Sequence, residues 1–528
     1  MMKIRSRSLV SIWASTIAVL LALGAQAQQP KQGGRLTAVY SGETHTLFAP
    51  GGGGGNPLMV STKIIERLVR LESDLGFTGQ LAESWSIEDG GKSYVFKLRR
   101  NATWHDGKPF TAEDAAFNAL DHWRKFAGNP ALRSIASAEI VDTHTLRIGY
   151  AKPTPEFLVL ASLSGSEAQM VPKHLYATGE IAQNPANNAP IGTGPFKFKE
   201  WRRGSHVELV RNESYWDAGK PHLDSLIIRY LQDPASRAAA FEVGEVDLGV
   251  SSPFSTADMQ RLSRDKKYLA TDGGGLQEFM VVEFNTRNPI LADRRVRQAI
   301  AHAVDRSFVV ETLMSGFGRP GTGTVSDVYK IFYNADVPRY APDAKRAAAL
   351  LDEAGHPRKA GGVRFELKLV VGPWYPENTR TASYLQQSLG DVGIKVAIVT
   401  PDRAGAIKQI YSDYDFDLSI SNNVSYADPL QRSVMLFTTA NIIKTPFRNA
   451  SGYSNPVLDK LVDDAANEMD ATRRVDMLRR VQMIVAEDLP VLVMAYKRNM
   501  NFARDYVRAH SNRPEWMYDS WKDVWLDK

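Results

Sequence analysis

Residues 277–306, QEFMVVEFNTRNPILADRRVRQAIAHAVDR, constrain the fold more than any other stretch of the chain. Residues 279–284 are an apolar run rich in β-branched and aromatic types, which predicts a buried strand. Asn285-Thr-Arg-Asn-Pro289 is turn chemistry, and Pro289 cannot continue a ladder. Asp293 then stands where it can cap a helix whose Val296, Ile300, Ala303 and Val304 recur at helical spacing, with arginines opposite. The alternation continues downstream. The pattern predicts a helix over 343–354 stopped by Gly355, a strand over 365–371, a helix over 378–389 and a strand over 394–399. Strand, helix and strand in succession imply α/β layers with largely parallel pairing. A chain of 528 residues exceeds one ordinary core, so two or three domains are expected.

The start of the chain speaks to compartment. Lys3, Arg5 and Arg7 precede an apolar run over 9–23, and Ala25-Gln26-Ala27 follows, so residues 1–27 read as a cleaved signal peptide. The run is short for a membrane-spanning helix. There is no cysteine, so the exported chain has no disulfide and depends on an ordinary core. Those three basic residues take the formal charge of +5 down to +2 in the remaining chain. No basic stripe interleaved with aromatics is present, so nucleic acid is not an expected partner.

Signals for catalysis are weak throughout. The ten histidines are scattered, HExxH and CxxC are absent, and no metal or other cofactor is expected. No Gly-x-Ser-x-Gly elbow occurs. The glycine run at 51–55 lacks a following Gly-Lys-Ser/Thr and is not a nucleotide loop; it reads either as a surface loop or as the rim of a ligand cleft. His105-Asp106 has no third group beside it and reads as packing beneath a hairpin. Asp413, Asp415 and Asp417 alternate as they would on one face of a strand, and solvated edge charges account for them. The chain is not expected to be an enzyme.

Several stretches carry a resemblance. Residues 81–123, LAESWSIEDGGKSYVFKLRRNATWHDGKPFTAEDAAFNALDHW, the turn Ile191-Gly-Thr-Gly-Pro-Phe196, the run GEVDLG at 244–249 and the opening FN…P…D.RVRQA are similar to the solute-binding proteins of the peptide/nickel class of ABC importers, solute-binding protein family 5. The likeness extends over about Gly34 to Tyr496. It implies an α/β, periplasmic-binding-protein-like two-lobe fold of type II, with an extra domain inserted in the first lobe. The implied division is signal peptide 1–27, first lobe 28–70, small inserted domain 71–190, first lobe 191–276, second lobe 277–488, and a return to the first lobe over 489–528. The implied function is a periplasmic, unlipidated, monomeric receptor. It would capture a peptide-like or other small polar solute between its lobes and pass it to the permease subunits of an ABC importer. An exported enzyme, or a chaperone or sensor on the same fold, is the alternative.

Ligand contacts in this class come from three loops, which place Tyr40, Thr44, His45, Trp374, Tyr375, Asn422, Asn423, Ser425, Tyr426 and Asp428 at the cleft. Trp374 and Tyr375 read equally as aromatic walls or as packing of a proline-flanked loop. Asp428, before Pro429, reads either as a contact or as an N-cap. Dipeptide-binding members use an aspartate where this chain has Ser425 and an arginine where it has Gly372. Simple dipeptide zwitterions are therefore not the expected ligand, because buried charges without partners cost several kcal/mol.

Overall fold

The computed structural model describes residues 29–50, 56–273, 277–510 and 519–528. The expected signal peptide and the glycine run at 51–55 lie outside them. Two large sheets organise the chain. The first has seven strands, in the order Tyr268–Asp272, Met500–Arg504, Leu248–Gly249, Arg35–Tyr40, Ser225–Tyr230, His206–Arg211 and Phe196–Arg202. The second has six, in the order Gly318–Pro320, Val491–Lys497, Gln277–Phe284, Leu418–Ser425, Phe365–Val371 and Ile394–Val399. We call each sheet with its helices a lobe. A separate four-stranded antiparallel sheet is built from residues 82–150 and packs Trp104, Phe110 and Trp123 into its own core.

The expected elements form where periodicity and capping agree. Asp293 caps Arg294–His302, its carboxylate accepting from Arg295 N at 2.8 Å. Asp343 caps Ala344–Glu353, and Pro376–Asp391 links the two parallel strands Phe365–Val371 and Ile394–Val399. Pairing is more mixed than the alternation predicts. In the second lobe Phe365–Val371 is parallel to both its neighbours, while Gln277–Phe284 is antiparallel to Leu418–Ser425 and to Val491–Lys497. Helical crossovers give parallel neighbours; strands that enter or leave the sheet at its centre run against them.

Two further expectations change. Val491–Lys497 pairs inside the second sheet, so the return to the first lobe comes after Lys497, at Met500–Arg504, rather than at residue 489. The apolar run 491–496 reads identically for either sheet; its partner decides. Asp413, Asp415 and Asp417 precede the strand Leu418–Ser425 and share no strand face. Each takes its own partner: Lys408, Lys368, and the Asn288 amide together with Lys368 N.

The Gly-Thr-Gly turn has a steric cause. A Cβ on Gly192 would lie 1.9 Å from the Ile64 carbonyl oxygen, and one on Gly194 would lie 2.6 Å from it. The turn thus lies against the end of the helix Asn56–Ile64 with no room for side chains. Thr193 between them donates to the buried Glu66, whose carboxylate also receives Tyr215 OH and Trp216 Nε1. His105 is half-buried beneath this turn with Nε2 2.9 Å from Gly194 O, and loss of water around the ring lowers its pKa to about 4. Asp106 instead meets His174.

The lobes touch. One apolar cluster joins Leu71, Leu158 and Ala161 to Phe279, Val281, Ala427 and Leu430, and a column of rings, Phe77, Phe157 and Phe332, crosses the junction with centroids 5.3 and 5.1 Å apart.

Candidate functional site

The candidate site of the second lobe is built on one face of two paired strands. In antiparallel pairs, residues directly opposite point the same way. Phe279, Val281 and Glu283 therefore share a face with Asn423, Ser421 and Ser419, their register partners. Phe279 and Val281 belong to a cluster with Leu458, Leu478 and Val485 of the second lobe's own helices and with Leu158 and Ala161 of the inserted unit, so this face packs against both.

That face carries polar groups without protein partners. Asn423 is 3% exposed, yet neither its Oδ1 nor its Nδ2 is hydrogen-bonded. Ser421 Oγ stands near Glu283 and Tyr411 without closing a bond of ordinary geometry, and Tyr411 OH is likewise unsatisfied. Ser433 Oγ and Arg432 Nε, from the loop that follows the strand, complete the set. Buried polar atoms are nearly always paired, so such a concentration marks a surface made to meet something polar. Glu283, 1% exposed, accepts from Ser419 Oγ at 2.6 Å, and burial pushes its carboxyl up to about 7.

The aromatic loop divides between two clusters. Trp374 turns toward Phe447 (centroids 6.0 Å apart), which continues to Tyr411 at 5.4 Å. Tyr375 turns the other way. Its hydroxyl meets Glu278, Lys497 Nζ lies 3.2 Å from its ring centroid, and Lys497 pairs with Glu377 at 3.0 Å. Tyr40, at the end of a first-lobe strand, faces this group: burial and then the Glu278 charge push its hydroxyl up to about 12. Burial, with Glu278 next, raises Tyr375 as well. These residues form a polar and aromatic junction between the lobes.

The other expected residues divide similarly. Asn422 receives Asn378 Nδ2 at 2.8 Å and so faces the helix Pro376–Asp391, away from Asn423. Ser425 is buried, its hydroxyl donating to Thr324 O. Tyr426 lines a small cavity of about 10 Å³ with Asn129, Glu167, Gln431 and Arg432, where the four-stranded unit meets the second lobe. Asp428 is an N-cap: it accepts from Leu430 N at 2.9 Å and pairs with buried Arg474 at 2.7 Å. Its carboxylate is committed to the fold. Thr44 donates to Thr46 O, and His45 is exposed beside Arg203; neither joins the clusters just described. Their loop is held off by Glu43, which receives Trp201 Nε1 and Gly204 N.

Sequence reasoning missed Glu167, Arg432, Tyr411, Phe447 and Arg448. Arginines and aromatics in irregular segments carry no periodic signal, and only tertiary packing gathers them.

At Gly372, a Cβ would lie 2.9 Å from the Trp374 ring and 3.1 Å from Ile420 O, so the indole occupies the room a side chain would need. Among the described residues no helix is long and apolar enough to cross a membrane, and no cluster of metal-ligating side chains occurs.

Comparison with known proteins agrees with this architecture. The family model for bacterial extracellular solute-binding proteins, family 5, matches residues 76–444. A protein of Brucella ovis, provisionally named an ABC transporter peptide-binding protein, is 31% identical over 456 residues, 80% of this chain and 81% of its own length. The dipeptide-binding protein of Escherichia coli is 26% identical, covering 81% of this chain and 83% of its own. Among solved structures, NikA from Brucella suis in complex with Fe(III)-EDTA superposes with a TM-score of 0.83 at 24% identity, over 94% of this chain and all of that one. The chain belongs to family 5 of the bacterial extracellular solute-binding proteins, the substrate-binding receptors of ABC importers.

Proposed function

We propose that the protein works in the periplasm as a monomeric receptor that encloses a small polar solute between its lobes and hands it, chemically unchanged, to the permease of an ABC importer. One observation carries this reading. The second-lobe wall holds Asn423, Ser421 and Ser433 buried with unpaired polar atoms, which a solute with donors and acceptors would satisfy. Tyr40, Tyr375 and Asn423 are the expected contacts that best fit this role, with Trp374 backing the wall through Phe447. Thr44, His45 and Asp428 fit it least, because their surroundings already account for them. Ser425 and Gly372 offer no charge to the ends of a dipeptide zwitterion, which favours solutes other than simple dipeptides.

The solute supplies the contacts that favour the closed arrangement, and closure presents a defined surface to the permease. Native mass spectrometry of the chain purified without refolding tests the reading. The expected result is a discrete added mass that is released intact on denaturation and that raises the melting temperature when added back. Recovery of a cleaved or converted product instead would establish turnover and overturn the binding-only reading.

A further inference from the structure

The unpaired polar atoms of the second lobe follow a regular geometry. Ser419, Ser421 and Asn423 alternate along the strand Leu418–Ser425 and so project from one face of the sheet. Antiparallel pairing sets them opposite Glu283, Val281 and Phe279 in turn. On the other side, Val370 is the parallel partner of Ser419 and packs in one cluster with Tyr411 and Phe447. Two residues on is Gly372, where the Trp374 indole lies 2.9 Å from the place a Cβ would take. Trp374, Phe447 and Tyr411 thus form a line of rings, centroids 6.0 and 5.4 Å apart, along the flank of the polar row. Trp374 is only half-buried, so part of its ring stays open.

The atoms without partners on this row and its ring flank are uncharged. They are Ser421 Oγ, both side-chain atoms of Asn423, Tyr411 OH and the Trp374 indole N–H, with Ser433 Oγ from the loop that follows. Hydroxyls and a carboxamide each donate and accept. Ser421 and Asn423 stand about 7 Å apart along the strand, a span comparable with one hexose ring and its hydroxyls. The charges nearby are already accounted for. Asp428 pairs with Arg474 at 2.7 Å and Lys497 with Glu377 at 3.0 Å, and Arg432 lines one small cavity with Glu167. Arg403, 5.8 Å from the Trp374 ring centroid, is exposed, and water screens it. Burial pushes the Glu283 carboxyl up to about 7, so it is only partly ionised at neutral pH. A charged group brought against this row would lose its water and meet no opposite charge. A sugar or polyol brings hydroxyls that also donate and accept, and a C–H face that packs on aromatic rings.

We propose that the solute is an uncharged polyhydroxylated compound, a sugar or polyol, whose hydroxyls are received by Ser421, Asn423 and Tyr411 and whose C–H face packs on Trp374. This rests on the receptor reading above and names the ligand class for that site. Asn423 sets specificity most strongly, because it offers two donors and an acceptor from one rigid group. Gly372 belongs to the same arrangement: any side chain there would push the indole off the sheet.

The test uses the full mature chain and calorimetry, with any co-purified ligand identified after denaturation. The probes are glucose, maltose, cellobiose and sorbitol. Against them stand glucuronate and glucosamine, which put one negative or one positive charge on the same ring, and di-alanine and tetra-alanine. The expected result is an uncharged polyol that binds or co-purifies, with the charged ring analogues bound at least about tenfold more weakly. Ser421→Ala, Tyr411→Phe and Asn423→Leu should each lower affinity about fivefold to tenfold, and Ser383→Ala, an exposed hydroxyl on the helix Pro376–Asp391, should not. Each site variant removes a polar atom that has no protein partner, so ligand-free melting temperatures should match or exceed the parent, which separates misfolding from lost recognition. A peptide or charged ligand, or site variants that bind as the parent does, overturns the polyol assignment while the receptor reading stands. No co-purified molecule and no binding of any probe overturns both together.

Discussion

Glu283→Gln makes the buried carboxyl beneath the cleft measurable. Glu283 is 1% exposed, and its carboxyl stands at about 7 against an ordinary 4.5, because burial penalises the charged form more than the hydrogen bond from Ser419 favours it. That difference corresponds to about 3 kcal/mol. The folded chain holds a proton that the unfolded chain releases between roughly pH 4.5 and pH 7. The contribution to stability is therefore complete below pH 4.5, is lost as pH rises toward 7, and changes no further above it. Glutamine mimics the protonated carboxyl in shape and neutrality and does not titrate. The variant should match the parent near pH 4.5 and exceed it by up to about 3 kcal/mol at pH 8. Urea unfolding of both chains at the two pH values, followed by tryptophan fluorescence, gives the comparison. A difference independent of pH, or a variant less stable than the parent at pH 8, would show that the ionised form is well accommodated and refute the reasoning.

Three further outcomes are expected. Arg474→Met leaves the Asp428 carboxylate buried without its ion-pair partner and should cost about 3–5 kcal/mol in urea unfolding, with part recovered by adding Asp428→Asn. Gly192→Ala drives a methyl group onto the Ile64 carbonyl and should cost about 3 kcal/mol or prevent folding, whereas Gly204→Ala, with open space around it but a left-handed backbone, should cost about 1 kcal/mol. Asn423→Leu removes an unpaired buried amide, so the ligand-free melting curve should shift up by the equivalent of about 1 kcal/mol while solute affinity falls about tenfold in calorimetry.

Much of the fold was legible because its signals are local. Asp293 and Asp343 announce helices by capping chemistry, and the apolar runs at 365–371 and 394–399 announce strands with bounds the structure reproduces. Partner choice is not local. The run 491–496 suits either sheet, and only its register against residues 279–283 assigns it to the second. The acidic triplet at 413–417 imitated strand alternation because period two occurs by chance in short polar segments, and three separate partners overrule it. The site was harder still. Resemblance located the loops, but loop position does not give side-chain direction: adjacent Trp374 and Tyr375 point to different clusters, and adjacent Asn422 and Asn423 to opposite faces of one sheet. Asp428 is engaged by Arg474, forty-six residues further along the chain. Nothing nearby in the sequence signals that pairing.

The column of Phe77, Phe157 and Phe332 bears on how the importer tells a loaded receptor from an empty one. These rings and the aliphatic groups around them hold the inserted unit against the second lobe without any help from a solute. Contacts of this kind lower the free energy of the shut form in an empty receptor, and the solute has that much less of the equilibrium to shift. A permease that recognised shutness alone would be engaged repeatedly by receptors carrying nothing, and would spend its cycles on empty deliveries. For this chain the signal of cargo must lie elsewhere, either in how long the shut form lasts once the cleft is filled or in what the permease draws out of it after docking.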